Sequence, residues 1–224
     1  AFFDKRSKFL HYRPNTLVIN NLEFDHADIF ENLAAIQKQF AILLRTVPQD
    51  GLIIYPDDVP AIDAVIEAGC WTPCQSMGVN GSDWLLEEVS DDGRQFTFSF
   101  QKRRFSVNWR QMGRHNVHNA MAAMAAAHHV GVDVTLAIQA LDSFEGVKRR
   151  MEVLGQVNGV TVYDDFAHHP TAIASTLHGL RASVGQQRIV AILQFGSNTM
   201  SGGVHQDTIA ESLQAADQVL MLSP

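Results

Sequence analysis

Cysteine is scarce in this chain: Cys70 and Cys74 are the two cysteines among 224 residues. That excludes a disulfide framework, and a lone Cys-x3-Cys pair with no second pair does not complete a structural zinc site. Long apolar runs are missing too; no stretch of about 18 apolar residues exists, so no membrane span is expected. The first six residues, Ala-Phe-Phe-Asp-Lys-Arg, lack the apolar centre of a signal peptide. Basic residues are outnumbered, 17 Lys and Arg against 24 Asp and Glu, for a formal charge of −7. A phosphate backbone attracts the opposite balance, so neither nucleic acid nor membrane is an expected partner. Together these absences point to the cytoplasm, with both thiols reduced. A Gly-x-x-x-x-Gly-Lys-Ser/Thr phosphate loop is also absent, as are internal repeats and low-complexity tracts.

What is present is strand and helix in alternation. Thr16 to Ile19 reads as a buried strand, followed by a helical pattern from about Asp28 to Arg45. Gly51 to Tyr55 is a second strand, and Val59 to Ala68 a helix with Ile62, Val65 and Ile66 at helical spacing. From Trp84 to Trp109 the period becomes two. Phe96, Phe98 and Phe100 mark one strand, and Phe105, Val107 and Trp109 the next. Gln101 to Arg104 is the expected turn between them, and Asp91-Asp92-Gly93 an earlier one. An alanine-rich helix starts near Asn116 and ends at Gly131, and another runs from Thr135 to Ser143. Beyond the linker Gly146-Val147-Lys148, Asn158-Gly159 turns two β-rich runs, Met151 to Val157 and Val160 to Tyr163. A helix from Pro170 to Ser183, a strand from Ile189 to Leu193, a helix from Ile209 to Ala215 and a strand from Gln218 to Leu222 complete a dinucleotide-fold pattern.

Four blocks carry chemistry. Asp25-His26-Ala27-Asp28 sits where a strand ends and a helix begins, which is where open α/β sheets bind ligands. An imidazole flanked by carboxylates there can hold a divalent metal, or Asp28 can simply cap the helix. Asn116 and Asn119 lie three apart, on one helix face, and offer uncharged donors and acceptors that suit an adenine edge; Asn116 could instead serve as an N-cap. Lys148-Arg149-Arg150 places cations on the linker. Asp165, after a strand, is positioned to meet a ribose, and His168, His169 and Pro170 follow it.

In that order, Asn20 to Asp28, Gly113 to Ala120, Gly146 to Glu152 and Val162 to Pro170 resemble the Mur ligase family of ATP-dependent peptidoglycan-precursor ligases. The resemblance spans nearly the whole chain. It implies an α/β fold: the C-terminal part of the central ATP-binding domain over residues 1–147, then the N-terminal part of a Rossmann-like ligase domain over 148–224. The phosphate loop and the UDP-binding region would lie upstream, so a fragment without ligase activity of its own is the expectation. Ala1 to Phe9 and Ser197-Asn198-Thr199-Met200 look like the branch that joins UDP-N-acetylmuramate to L-alanyl-γ-D-glutamyl-meso-diaminopimelate in peptidoglycan recycling.

The resemblance also implies roles and cofactors, ATP and Mg²⁺. His26 matches a metal-binding histidine, and Asp25 shapes the field or orients the incoming amine. Asn116 and Asn119 lie near the nucleotide, Arg150 reaches the γ-phosphate side, and Asp165 contacts the nucleotide with His168 beside it. Two departures stand out. Lys38 does not match the spacing of the carbamylated lysine of some members, and Gly196 stands where an arginine is expected before Ser-Asn-Thr-Met. Alternatives are the alanine-adding ligase of the same family, a metal-dependent hydrolase using His26, Asp28, His168 and His169, and a nucleotide-binding or packing module.

Overall fold

A computed structural model describes residues 7–195, 200, 202–203 and 205–222. The opening segment 1–6 and the Gly196 to Thr199 loop therefore lie outside the described residues.

The first unit is built on a six-stranded sheet: β1 (Thr16–Val18), β2 (Leu52–Pro56), β3 (Cys74–Gly78), β4 (Trp84–Val89), β5 (Gln95–Phe100) and β6 (Arg103–Asn108), side by side in that order. Strands β1 to β4 are parallel, and β4, β5 and β6 form an antiparallel meander. Helices cover both faces of the parallel part. On one side α1 (Leu33–Leu44) and α2 (Pro60–Glu67) pack Ile36, Leu44, Ile62 and Val65 against Ile53. On the other, α3 (Arg114–His129) and α4 (Val134–Asp142) pack on Leu52, Ile54 and the aromatic meander. Neighbours Ile53 and Ile54 thus point to opposite layers and both are fully buried, as expected of a strand inside a two-sided parallel sheet.

The phenylalanine stripe is core. Phe96, Phe98 and Phe100 line the α3 side, and the Trp84 ring stacks on Phe100 with centroids 3.9 Å apart. Thr97 and Ser99 face outward, where Arg104 pairs with Glu87 at 2.6 Å and Glu88 at 3.1 Å. The alanines of α3 let it lie close on the sheet, and His129 Nδ1 meets Thr16 Oγ1 of β1 at 2.7 Å.

The second unit opens with a hairpin, β7 (Glu152–Val157) and β8 (Val160–Asp164), turned by Asn158 and Gly159, both with positive φ. Then come α5 (Pro170–Val184), β9 (Val190–Gln194), α6 (Gln206–Ser212) and β10 (Gln218–Leu222), with β9 and β10 parallel.

Several expectations need correction. The helix expected from Asp28 begins at Leu33, and its cap is Asn32, whose side chain accepts from the Ala35 N–H at 2.9 Å, rather than Asp28. His26 adopts a left-handed φ of 54°, and its carbonyl closes a turn with the Ile29 and Phe30 N–H groups. That turn uses up the residues a longer helix would need. Arg103 and Arg104 belong to β6, so the turn is Gln101-Lys102 alone, both at positive φ. The third strand, Cys74–Gly78, was not expected at all. Gly113, not Asn116, caps α3, which places Asn116 inside the first turn. The helix expected from Ile209 begins at Gln206.

Candidate nucleotide and metal site

The first unit presents its loops at the carboxyl ends of β1 to β3. Beyond β1 the chain runs Asn20 to Asp28. His26 is two-thirds exposed, with Nε2 3.9 Å from Asp25 Oδ2, while Asp25 Oδ1 accepts from the His26 N–H at 2.6 Å. An exposed imidazole on a loop locked by its own backbone turn can give a ring nitrogen to a cation without rearrangement. Mg²⁺ keeps most of its shell as water and phosphate oxygen, so one protein donor suffices.

The amides of α3 form a chain. Asn116 Nδ2 donates to the Met112 carbonyl at 2.8 Å, Asn119 Nδ2 to Asn116 Oδ1 at 3.3 Å, and Asn20 Nδ2 to Asn119 Oδ1 at 2.8 Å. This chain ties the β1 loop to the start of α3. Each amide of the Asn116–Asn119 pair keeps one N–H and one lone pair for a base edge.

Next to them, His115 Nδ1 meets Ser175 Oγ of α5 at 2.8 Å. Burial pushes the His115 imidazole below its ordinary pKa; the Asp165 carboxylate opposes that, and the Arg150 and His118 charges add to it. Through the Ser175 hydroxyl and the Asp165 charge, this ring of the first unit is tied to the second.

Asp165 holds the linker in place. Its Oδ2 accepts from the Met151 N–H and its Oδ1 from the Ala167 N–H, each at 2.8 Å. A carboxylate has further lone pairs, so a ribose hydroxyl remains within its capacity. The three cations of the linker differ. The Arg149 guanidinium lies 3.4 Å from Asp164 and over the Phe166 ring. Arg150 is exposed, and its side chain makes no hydrogen bond or ion pair among the described residues. Lys148 is exposed as well. His168 Nδ1 lies 2.9 Å from the Phe166 carbonyl, which can only accept, so Nδ1 carries the proton.

Sequence reasoning missed Glu23, Thr171 and His205. Thr171 Oγ1 donates to Glu23 Oε2 at 2.6 Å, His169 Nδ1 lies 3.7 Å from the same oxygen, and the His169 and His205 rings meet edge to face at 4.7 Å. Burial lowers the His205 pKa, as does His169, against the pull of Asp25 and Glu23. Glu23 stood within the acidic block and was passed over for its neighbours; nothing local in the sequence marks His205. Among the described residues no hydrogen bond or ion pair joins His26 to Arg150, Asp165 or His168. Nor do three His, Cys, Asp or Glu side chains converge as a metal set among them, so the ligands that the hydrolase alternative needs are not assembled.

Residues 3–127 match the Mur ligase middle domain, and residues 149–224 the Mur ligase glutamate ligase domain. The chain belongs to the Mur ligase family. It is 50% identical, over its full length, to half of the UDP-N-acetylmuramate–L-alanyl-γ-D-glutamyl-meso-2,6-diaminoheptandioate ligase of Haemophilus influenzae. To the UDP-N-acetylmuramate–L-alanine ligase of Desulfitobacterium hafniense it is 33% identical, over 96% of this chain and 48% of that protein. A crystal structure of a murein peptide ligase from Psychrobacter arcticus superimposes with a TM-score of 0.71 at 48% identity, covering 99% of this chain and 46% of that one. The chain thus spans about half the length of the relatives it matches, and Mur ligases as a family are ADP-forming, ATP-dependent peptide ligases.

Proposed function

We propose that the protein carrying this chain is a cytoplasmic, Mg²⁺-dependent, ADP-forming ligase. It would join UDP-N-acetylmuramate to the tripeptide L-alanyl-γ-D-glutamyl-meso-diaminopimelate in peptidoglycan recycling. One observation carries the choice of acceptor: identity is 50% to a ligase named for that tripeptide and about a third to those named for alanine. The same reading divides the chain near residue 147 into an ATP-binding part and a Rossmann-like part.

A carboxylate is a poor acceptor for an amine; ATP would supply the phosphoryl group that activates it as an acyl phosphate, and Mg²⁺ the positive charge that screens the phosphates. His26 gives a ring nitrogen to the metal. Asp25, fixed against the His26 backbone, sets the field where the amine arrives. Asn116 and Asn119 offer their remaining donors and acceptors to the adenine edge, and Asp165, with His168 beside it, meets the ribose. Arg150, whose side chain makes no hydrogen bond or ion pair among the described residues, reaches the γ-phosphate side as a planar two-pronged donor.

The test is turnover by the full-length protein with ATP, Mg²⁺, UDP-N-acetylmuramate and either tripeptide or L-alanine. Product with the tripeptide alone supports the reading. Product with alanine transfers it to the alanine-adding branch, and ATP-independent hydrolysis in place of ligation overturns it.

A further inference from the structure

Cys70 and Cys74 lie outside the proposed site, and the fold holds them together. Their sulfurs are 3.6 Å apart. Both thiols point at the Thr72 carbonyl, at 3.4 and 3.5 Å. Thr72 itself is buried, and its hydroxyl donates to the carbonyls of Val47 and Pro48 at 3.1 and 3.2 Å. One residue on, the Pro73 carbonyl accepts from the Ile53 N–H at 3.0 Å. The turn between the two cysteines is therefore fastened to the first unit's core from both sides. Cys74 begins β3 opposite Ile53 in the sheet register, while Cys70 follows α2. Both side chains remain partly exposed, within reach of a small oxidant.

We propose that Cys70 and Cys74 are a dithiol site for reversible oxidation to an intrachain disulfide, with a peroxide or a low-molecular-weight disulfide as the oxidant. A disulfide has sulfurs about 2.05 Å apart, so side-chain rotation has about 1.5 Å to close while the backbone stays fastened. The two thiols have different parts. Burial, helped by the hydrogen bond and charge of Cys70, pushes the Cys74 thiol up to about 12, so the first attack is assigned to Cys70 and the resolving step to Cys74. The Cys70 sulfur attacks one peroxide oxygen, the O–O bond breaks, and the departing hydroxide takes the Cys70 proton to leave as water. Cys70 is then a sulfenic acid. The Cys74 sulfur displaces its hydroxyl, which leaves with the Cys74 proton as a second water. Two thiols have lost two electrons and the peroxide has become two waters. With a small disulfide as oxidant, Cys70 forms the mixed disulfide and Cys74 resolves it, releasing two small thiols.

No Lys or Arg separates Arg45 from Arg94, so trypsin releases both cysteines in one peptide. The chain is exposed to hydrogen peroxide or oxidised glutathione, alkylated, digested and weighed. The expected peptide is lighter by two hydrogens, carries no alkyl group, and recovers both alkylation sites after dithiothreitol. In Cys74→Ser, Cys70 retains an oxygen or a glutathione adduct instead, because nothing resolves it. Two alkylated thiols in the treated wild type, a gain of two or three oxygens located on either cysteine rather than on Met77 of the same peptide, or disulfide-linked dimers of the chain would each overturn the proposal, and all three are read on the wild-type chain.

Discussion

Thr171 Oγ1 donates to Glu23 Oε2 across 2.6 Å, although the two residues are 148 positions apart in the chain. The bond fastens the loop that carries Asp25 and His26 to the first turn of α5. Asn21 Nδ2 donates to the other Glu23 oxygen, and His169, the cap of α5, stands 3.7 Å from the first. Glu23 thus makes the placement of the candidate metal residue depend on how the second unit docks.

Removing either side of that contact has a defined signature. In a double-mutant cycle of Glu23→Gln and Thr171→Val, followed by urea unfolding, the coupling is expected at about 0.5–1 kcal/mol for a partly exposed charge-assisted bond. Additivity within about 0.3 kcal/mol would show that the bond contributes nothing to docking.

His115 should make the stability of the fold sensitive to pH. Its folded pKa is depressed, chiefly by burial, so between that value and the unfolded value of about 6.5 the unfolded chain binds more protons. Stability from this group is full above about 6.5 and is lost as pH falls toward the folded pKa. His205 is shifted in the same direction, so the comparison is between wild type and His115→Gln, which retains a polar partner for Ser175. The urea midpoint of the variant should fall less steeply between about pH 7 and 5. Parallel curves would exclude His115 as a source of the acid sensitivity.

Arg149 and Arg150 are adjacent but differently engaged. Arg149→Ala loses the Asp164 pair and the Phe166 ring contact, and should cost about 0.5–1 kcal/mol of stability. Arg150→Ala should leave stability within about 0.5 kcal/mol of wild type yet weaken ATP use by the full-length protein about tenfold or more, the loss of one charge-assisted phosphate contact. Equal effects of the two changes on both readouts would remove Arg150 from the phosphate role.

Much of this was legible in the chain because it is local. The alternation of Phe96, Phe98 and Phe100 announced the meander, Asn158-Gly159 the hairpin, and the alanines of α3 a helix that lies close to the sheet. The strand Cys74–Gly78 escaped because Cys-Gln-Ser-Met-Gly has no β-branched residue and no two-residue period; the sheet, not propensity, makes it a strand. The start of α1 was misplaced because two cap-forming residues, Asp28 and Asn32, compete, and the left-handed His26 decides between them by folding the chain into a turn first. In the candidate site, helix spacing singled out Asn116 and Asn119 and a place after a strand singled out Asp165, while the roles proposed for them came from the family resemblance. The partners that hold them, such as Asn20 and Met151, and the Glu23–Thr171 bond, come from segments distant in sequence, and no local period reports such pairings.

Where α5 meets the start of α3, two glycines touch. A Cβ on Gly179 would lie 2.9 Å from the Gly113 Cα and 3.3 Å from its backbone nitrogen. Gly113 caps α3 at a φ of 89° and is itself buried, so it has little room to retreat. In a free helix Gly→Ala stabilises by about 1 kcal/mol. Here the overlap with backbone should reverse the sign, and Gly179→Ala is expected to destabilise by about 1–3 kcal/mol. The same shift would lift Ser175, one turn earlier on α5, away from His115. Thermal unfolding gives the sign, and amide exchange should quicken along α5 and the first turn of α3 while β5 and β6 stay protected. A more stable variant with unchanged exchange would mean that the two helices approach less closely than this contact requires.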